Sequence, residues 1–350
     1  GAYVAGFQGS DTGLTRTGVA TVVKHWVGYG AQPDGFDGHN YYGRIAKLDN
    51  RSFADHVAAF DDALAKHTAG IMPTYPIITG VTLDGKPLEP VGGGFNRQLL
   101  TDLLRGKKGF GGLILSDWAV TNDCPVSCTA PTAEKPQGMD AIAVPWGVET
   151  LSKEDRFAKG VNAGIDQFGG VADSAILLAA YKAGKVPLAR INESVRRVLM
   201  IKFQLGLFDN PYVDEAASLA IVGDPAARAD AEAAQRRAQV LLENRGNLLP
   251  VATGRKVWLY RVDPAEARAR GFTVVDDPAQ ADLAILRVDA PFETLHPHHF
   301  FGSRQNEGRL DFRDGQPDYE AIKRAAASVP TAVAIKLDRP AILTNVRDKG

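Results

Sequence analysis

Long apolar runs are missing from this 350-residue sequence, and so is an excess of either charge. No apolar stretch approaches the roughly 18–20 residues that a membrane-spanning helix needs, so we predict no membrane span. The formal net charge is −1 with the signs interspersed, which argues against a nucleic acid or an anionic membrane as partner. With 45% apolar and 23% charged residues, the composition is that of a globular protein long enough for two domains.

Cysteine is almost absent. The two that occur, Cys124 and Cys128, lie in one Pro-, Ser- and Thr-rich stretch, and no nearby residues would complete a four-ligand metal site. We therefore predict neither a metal nor a cofactor. Two interpretations of the pair stay open: two free thiols in a loop, or a small-loop disulfide, which would imply an oxidising compartment.

Short β-branched or apolar runs alternate with longer amphipathic segments from residue 19 to about residue 208. This alternation with short links is typical of parallel β/α units. Turn-forming residues at 206–212 stop the pattern, and a second α/β stretch follows. The sequence thus predicts two α/β domains, at residues 1–208 and 226–350, joined by a linker at residues 209–225.

A carboxylate and an aromatic ring stand at the end of one predicted strand. The segment is Leu113-Ile-Leu-Ser-Asp117-Trp118. In a parallel β/α barrel the active site lies at the C-terminal ends of the strands, and a buried carboxylate is costly unless it is paired or used. Asp117 is therefore a candidate catalytic residue, and Trp118 could pack against a sugar ring. The alternative is that Asp117 caps the next helix.

Polar side chains also follow two other predicted strands. Lys24 and His25 come directly after the predicted strand at residues 19–23, and Tyr75 ends the strand-like segment at residues 70–75. Hydrogen-bond donors at the same end of the sheet as Asp117 would suit the hydroxyl groups of a substrate. A Lys-His pair alone would more often be a surface feature, so this interpretation depends on Asp117.

The order and spacing of these motifs resemble glycoside hydrolase family 3. The matching segments are Lys24-His25, Met72-Pro-Thr-Tyr75, Gly109-Phe-Gly-Gly112, Ser116-Asp-Trp118, Ala163-Gly-Ile-Asp166, Asn192-Glu-Ser-Val-Arg-Arg-Val-Leu199 and Lys202-Phe-Gln-Leu-Gly-Leu-Phe208. The similarity is greatest to the bacterial β-glucosidase and exo-β-glucanase branch. It implies a (β/α)8-type barrel whose N-terminal part is missing, followed by an α/β sandwich domain whose C-terminal part is missing.

The resemblance also implies a function. The protein would be a retaining, exo-acting β-glycosidase that hydrolyses β-glucosides or short glucans from the non-reducing end. Asp117 would be the nucleophile and Trp118 a wall of the first sugar subsite, while Lys24, His25 and Tyr75 would bind hydroxyl groups of that sugar. The expected partner is a carbohydrate. If the two cysteines form a disulfide, the expected location is the periplasm or the outside of the cell, and the cytoplasm stays open as the alternative.

Two glutamates are candidates for the acid/base that a retaining mechanism needs beside the nucleophile. Glu293 follows a predicted strand, and the apolar Pro291 and Phe292 beside it would raise its pKa, as a general acid requires. Glu307 is its rival. Three histidines in this stretch are expected to line the pocket entrance rather than to hold a metal: His296, His298 and His299.

Two other functions stay open. A β-N-acetylhexosaminidase of the same family would use an Asp–His pair in a loop soon after Lys24-His25, and Phe36-Asp-Gly-His39 has a faint likeness to that loop. The Pro-Gly-His-Gly sequence expected in such enzymes does not occur there. A catalytically inactive carbohydrate-binding protein of the same fold is the second alternative.

Overall fold

The structure is a computed structural model that describes residues 1–347, and these residues divide into two compact units. Unit 1 comprises Gly1–Tyr212 together with Thr294–Glu307. Unit 2 comprises Val213–Glu293 and the residues from Gly308 onward. A short segment late in the chain thus belongs to the first unit. Within residues 1–347, no helix is both long enough and apolar enough to span a bilayer.

Unit 1 contains eight described strands, most of them parallel to their neighbours. They are β1 (Val22–Trp26), β2 (Ile45–Lys47), β3 (Gly70–Pro73), β4 (Ile77–Thr79), β5 (Thr82–Leu83), β6 (Lys86–Pro87), β7 (Leu113–Trp118) and β8 (Gln167–Gly169). One parallel sheet has the strand order β1-β3-β7-β8, β2 pairs in parallel with β4, and β5 with β6 forms an antiparallel hairpin. The predicted parallel α/β architecture is thus confirmed. Within residues 1–347, the main sheet of unit 1 has four strands and does not close into a barrel.

Helices cover this sheet. They are α1 (Ala2–Gln8), α2 (Asn50–Ala58), α3 (Asp61–Ala65), a π-helix (Gln98–Lys107), α4 (Val126–Thr129), α5 (Lys153–Ala163), α6 (Ser174–Lys182) and α7 (Leu188–Gln204). Asp49 starts α2 by accepting the Ser52 N–H in a capping box, which satisfies a donor that the helix itself leaves free. The same helix buries Phe53 and Val57, which are four residues apart and therefore share a face.

The core of unit 1 lies between the sheet and these helices. Trp26, Ile71 and Ile114, from three neighbouring strands, are fully buried with Leu99 and Leu100 of the π-helix. Burying each such side chain stabilises the fold by roughly 1.5–3 kcal/mol. Trp26 also donates its indole N–H to Leu99 O at 3.0 Å. Packing in this core therefore holds in place the strands that carry the candidate residues.

A buried ion-pair cluster fixes β7 to α7. The Asp166 side chain is fully buried and accepts hydrogen bonds from Arg105 at 2.6 Å, from Arg190 at 2.9 Å and from Arg197 at 3.0 Å. It also accepts the Ile114 N–H at 3.0 Å, in the strand that ends with Asp117 and Trp118. Burial acts to raise the pKa of Asp166, but the Ile114 N–H and the arginines outweigh it and lower this pKa.

We expect Asp166→Asn to destabilise the fold by about 3–5 kcal/mol, because it leaves three arginines without their buried counter-charge. Since folding lowers the Asp166 pKa, its stabilisation is complete above about pH 4 and is lost as the pH falls further. The control is Asp209→Asn, which removes an exposed ion pair with Arg16 and should cost at most about 1 kcal/mol. Equal urea midpoints for the two variants would contradict this prediction.

Unit 2 is a second parallel α/β structure. Its strands are β9 (Lys256–Tyr260), β10 (Thr273–Val275), β11 (Leu283–Asp289) and β12 (Thr331–Lys336). Its helices are α8 (Glu215–Ile221), α9 (Pro225–Arg237), α10 (Pro264–Ala269), α11 (Pro317–Ala326) and α12 (Thr344–Arg347). The strand order is β10-β9-β11-β12, all parallel, and the core packs β11 against α11 through Leu286, Val288 and Ile322.

Candidate active site

Asp117 is the penultimate residue of β7. Its side chain is almost buried, with the residue 7% exposed. The Trp118 N–H donates to Oδ1 at 2.8 Å. Oδ2 lies 3.1 Å from His25 Nε2, and among the described residues it accepts no well-aligned hydrogen bond. One oxygen is therefore anchored, while the other keeps a lone pair for chemistry.

Two predicted neighbours, His25 and Tyr75, come together with Asp117. His25 is in β1 and Tyr75 follows β3, and β3 lies between β1 and β7 in the parallel sheet, so the C-terminal ends of the three strands are at one edge. The Tyr75 hydroxyl donates to Trp118 O at 2.9 Å and also lies at the Asp117 carboxylate. The expectation that Lys24 and His25 follow their strand is wrong, because β1 runs three residues further and contains both.

The electrostatics of this cluster favour an ionised Asp117. Burial acts to raise the pKa of the Asp117 carboxyl. The proximity of His25, then of the Tyr75 hydroxyl, and the hydrogen bond from the Trp118 N–H outweigh burial and lower this pKa below its ordinary value. The same negative charge, after burial, raises the pKa of Tyr75, which therefore stays a neutral donor. The arrangement suits a carboxylate nucleophile, which must be deprotonated to react.

Trp118 offers an open ring surface beside Asp117. The residue is 51% exposed, and its ring lies over Gly169 and Gly170 at the end of β8. A Cβ added at Gly169 would come within 2.7 Å of Trp118 Cε3, so a glycine is required for the ring to lie there. Lys24 is exposed and makes no ion pair within residues 1–347.

Glu307 is another buried carboxylate of unit 1, with the residue 1% exposed. The Tyr42 hydroxyl donates to Oε1 at 2.5 Å, and His296 Nδ1 lies 2.8 Å from Oε2. The rings of Tyr42 and His296 stack with centroids 3.5 Å apart, while His299 meets Tyr42 edge-on at 4.8 Å. Two of the three histidines predicted at a pocket entrance therefore surround Glu307.

The segment Thr294–Glu307 is fastened to loops that follow β1 and β7. Tyr42 is in the loop after β1. In the loop after β7, the Gln137 N–H donates to His298 O at 2.9 Å, and Gln137 Oε1 accepts the Phe300 N–H at 3.1 Å. Both loops leave the C-terminal ends of their strands, which places Glu307 at the same end of the sheet as Asp117. Tyr42 was not predicted, and its place after β1 is the only signal the sequence offers.

Glu293 lies in unit 2 and is held by arginines of that unit. The Arg309 N–H donates to Oε2 at 2.8 Å, and Arg313 Nη2 donates to Oε1 at 3.1 Å. The Arg309 N–H and then Arg313 lower the pKa of the Glu293 carboxyl. The expectation that apolar neighbours raise this pKa is therefore wrong, since polar donors decide it.

A disulfide joins Cys124 to Cys128 in the loop after β7, with Cα atoms 5.3 Å apart. Of the two interpretations of this pair, the small-loop disulfide is the one that the structure has. The bridge ties α4, which contains the buried Cys128, to the residues just before it. No group of three or more His, Cys, Asp or Glu side chains within residues 1–347 is arranged to hold a metal ion.

Comparisons with known proteins find relatives of this chain both by sequence and by fold. A periplasmic beta-glucosidase/beta-xylosidase of Dickeya chrysanthemi is 50% identical over 351 aligned positions, which cover 99% of this chain and 53% of that protein. Beta-glucosidase C of Emericella nidulans is 37% identical over 354 positions, covering 98% and 53%. The beta-glucosidase of Listeria innocua in complex with gluconolactone has a TM-score of 0.74 at 20% identity, covering 99% and 48%, which shows a shared fold.

The chain spans about half the length of these relatives. Residues 1–201, more than half of the chain, match the glycosyl hydrolase family 3 N-terminal domain. This match includes β1, β3 and β7, the three strands that bring His25, Tyr75 and Asp117 together. The chain belongs to glycosyl hydrolase family 3.

Proposed function

We propose that the protein is a retaining, exo-acting β-glycosidase that hydrolyses β-glucosides or short glucans from the non-reducing end. The observation that carries this proposal is Asp117, a buried carboxylate with a lowered pKa, one oxygen of which accepts no well-aligned hydrogen bond among the described residues, beside the exposed ring of Trp118. Relatives with beta-glucosidase in their names support the substrate class, as do structures of the Listeria innocua protein with glucose and with laminaribiose. We also propose that the parallel sheet of unit 1 is part of a (β/α)8-type barrel.

In the proposed first step, Asp117 Oδ2 attacks the anomeric carbon and forms a glycosyl ester while the glycosidic bond breaks and the acid/base protonates the leaving oxygen. In the second step the acid/base takes a proton from water, which hydrolyses the ester and frees Asp117. The Trp118 N–H keeps Oδ1 in place, so the carboxylate does not rotate away from the sugar. His25 and Tyr75 stabilise the carboxylate and stand where hydroxyl groups of the sugar would bind. Lys24 is kept in the proposal as a further hydroxyl ligand, on the strand that carries His25.

The proposed acid/base is one of two glutamates, and their contacts favour Glu307 over Glu293. A general acid should keep its proton near neutral pH, and arginine donors lower the pKa of Glu293. Within residues 1–347, no arginine or lysine forms an ion pair with Glu307, which is fully buried between Tyr42 and His296. Glu307 also belongs to the same unit as Asp117.

A second candidate function is that of a β-N-acetylhexosaminidase. The observation in its favour is the 2.5 Å contact between Asp37 Oδ1 and His39 Nδ1, an Asp–His pair in unit 1. A nitrophenyl N-acetyl-β-glucosaminide tests this function against nitrophenyl β-glucoside. Faster turnover of the N-acetylated substrate would favour it, while binding of sugar without any turnover would favour the inactive carbohydrate-binding protein.

We propose a periplasmic or secreted location. The small-loop disulfide of Cys124 and Cys128 requires an oxidising compartment to form and persist, and the Dickeya chrysanthemi relative is named as periplasmic. Cell fractionation with alkylation before reduction tests this location. Protein recovered from the cytoplasm with two alkylated thiols would contradict it.

Covalent trapping tests the proposed function. A mechanism-based fluoroglucoside with a good leaving group should form a stable ester with the complete product of the gene. The fluorine slows both chemical steps, and the good leaving group restores the rate of the first step only, so the intermediate accumulates. Peptide mass spectrometry should find the label on Asp117. A label on any other carboxylate, or no label despite turnover, would contradict the proposal.

A further inference from the structure

A hydrogen-bonded group with no part in the proposed chemistry lies in the loop after β1. The Asp37 carboxylate is its centre. Oδ1 accepts the His39 backbone N–H at 2.7 Å and lies 2.5 Å from His39 Nδ1. Oδ2 accepts the Tyr29 hydroxyl at 2.9 Å. Both oxygens of Asp37 are therefore acceptors, and the orientations of the Tyr29 and His39 rings depend on them.

The two rings pack against the side chains that hold the nucleophile. Tyr29 stacks on His25, with centroids 4.8 Å apart, and His39 meets Tyr75 edge-on at 4.7 Å. His25 and Tyr75 are the two side chains in contact with the Asp117 carboxylate. A shift of either ring would therefore reach Asp117 through one intervening side chain.

The same group also supports the segment that carries Glu307. The His39 ring lies 4.4 Å from the ring of Phe301, in Thr294–Glu307. The next residue, Asn40, donates from its side chain to Gln305 Oε1 at 3.2 Å. His39 thus packs on one side against Tyr75, beside the nucleophile, and on the other against the segment of the favoured acid/base.

We propose that Asp37 is a positioning residue for both carboxylates of the reaction. It fixes Tyr29 and His39, which hold His25 and Tyr75 around Asp117 and seat Phe301 with the segment that ends at Glu307. Burial acts to raise the pKa of Asp37, but hydrogen bonds and the charge of His39 lower it, so both oxygens remain acceptors at neutral pH. This inference rests on the proposed function.

Asp37→Asn is the test, because the amide replaces one of the two acceptor oxygens by a donor. We expect kcat to fall by about 10²-fold on both nitrophenyl and dinitrophenyl β-glucosides, with a smaller change in KM, since a displaced nucleophile slows every substrate. Tyr29→Phe keeps the stacked ring and removes only its hydroxyl. The kcat of this variant should also fall, but by a smaller factor. Asp34→Asn is the matched control, with the same charge change at an exposed position in the same loop.

The outcomes separate this inference from others. Equal kcat for Asp37→Asn and Asp34→Asn, with equal melting temperatures, would overturn it. A loss confined to poor leaving groups and restored by azide would overturn it in favour of His39 as the acid/base. If Asp37→Asn does not fold, Tyr29→Phe decides, and wild-type kcat in that variant overturns the inference. Failure of the proposed function itself is recognised separately, by turnover that persists in Asp117→Asn.

Discussion

Asp117→Asn is expected to lower kcat by about 10⁴-fold or more while the protein stays folded. The amide is almost the same size as the carboxylate, and its oxygen can still accept the Trp118 N–H. It cannot form the glycosyl ester, so the first chemical step is lost for every substrate. Initial rates on dinitrophenyl β-glucoside, together with the melting temperature, measure both parts of this expectation.

Asp123→Asn is the matched control for that variant. Asp123 is in the loop that follows β7, and its exposed carboxylate pairs with Arg156 at 2.6 Å. It makes the same chemical change close to Asp117 in sequence, and we expect it to retain most of the activity. If Asp117→Asn kept a rate comparable with that of Asp123→Asn, Asp117 would not be the nucleophile.

Glu307→Ala is the second variant with a large expected effect. Substrates with poor leaving groups should lose about 10²–10⁴-fold in kcat/KM, because they need a proton as the glycosidic bond breaks. Dinitrophenyl β-glucoside should keep much of its first step, and the glycosyl enzyme should then accumulate because no base activates water. Azide, which needs no base, should restore turnover and yield a β-glycosyl azide with retained configuration.

The pH profile gives an independent readout of the same variant. In the wild type, kcat/KM should fall at high pH as the acid/base loses its proton, and at low pH as Asp117 gains one. Glu307→Ala should lose the high-pH fall. The fall in kcat/KM at low pH should remain. Its midpoint should lie at a pH below the ordinary pKa of an aspartate, because the pKa of Asp117 is lowered.

Glu293→Ala and His39→Ala decide between the assignments. If Glu293→Ala shows the leaving-group dependence and azide rescue while Glu307→Ala resembles the wild type, Glu293 is the acid/base. If both resemble the wild type and His39→Ala is impaired, the hexosaminidase type of mechanism is correct. Arg313→Ala is a useful control, since it frees Glu293 from its ion pair without removing the carboxylate.

Local sequence predicted several elements closely. The apolar run at residues 256–260 predicts a strand, and the structure has the strand Lys256–Tyr260. The amphipathic stretch at residues 153–162 predicts a helix, and α5 ends one residue later. Such segments combine a clear pattern with end signals, such as the Ser152 cap of α5. The pattern at residues 53–67 predicts one helix, but the structure has two helices there, with Phe60 between them packed against Trp26.

The sequence by itself determined the α/β class, the family and three members of the site, His25, Tyr75 and Asp117. Each of these residues is at or just beyond the end of an apolar strand, and parallel strands bring such ends together whatever the details of packing. Motif order and strand periodicity are local properties, which is why they can be recognised before any contact is known.

Tertiary structure alone decided the surroundings of the two glutamates. Glu293 and Glu307 are fourteen positions apart in one stretch of chain. No local sequence pattern indicates that Glu293 pairs with an arginine whereas Glu307 is buried beside Tyr42 and His296. The chemistry of a carboxyl depends on burial and on the donors that reach it. Tyr42, which donates to Glu307, is far away in sequence. Long-range packing therefore underlies our proposal of Glu307 rather than Glu293 as the acid/base.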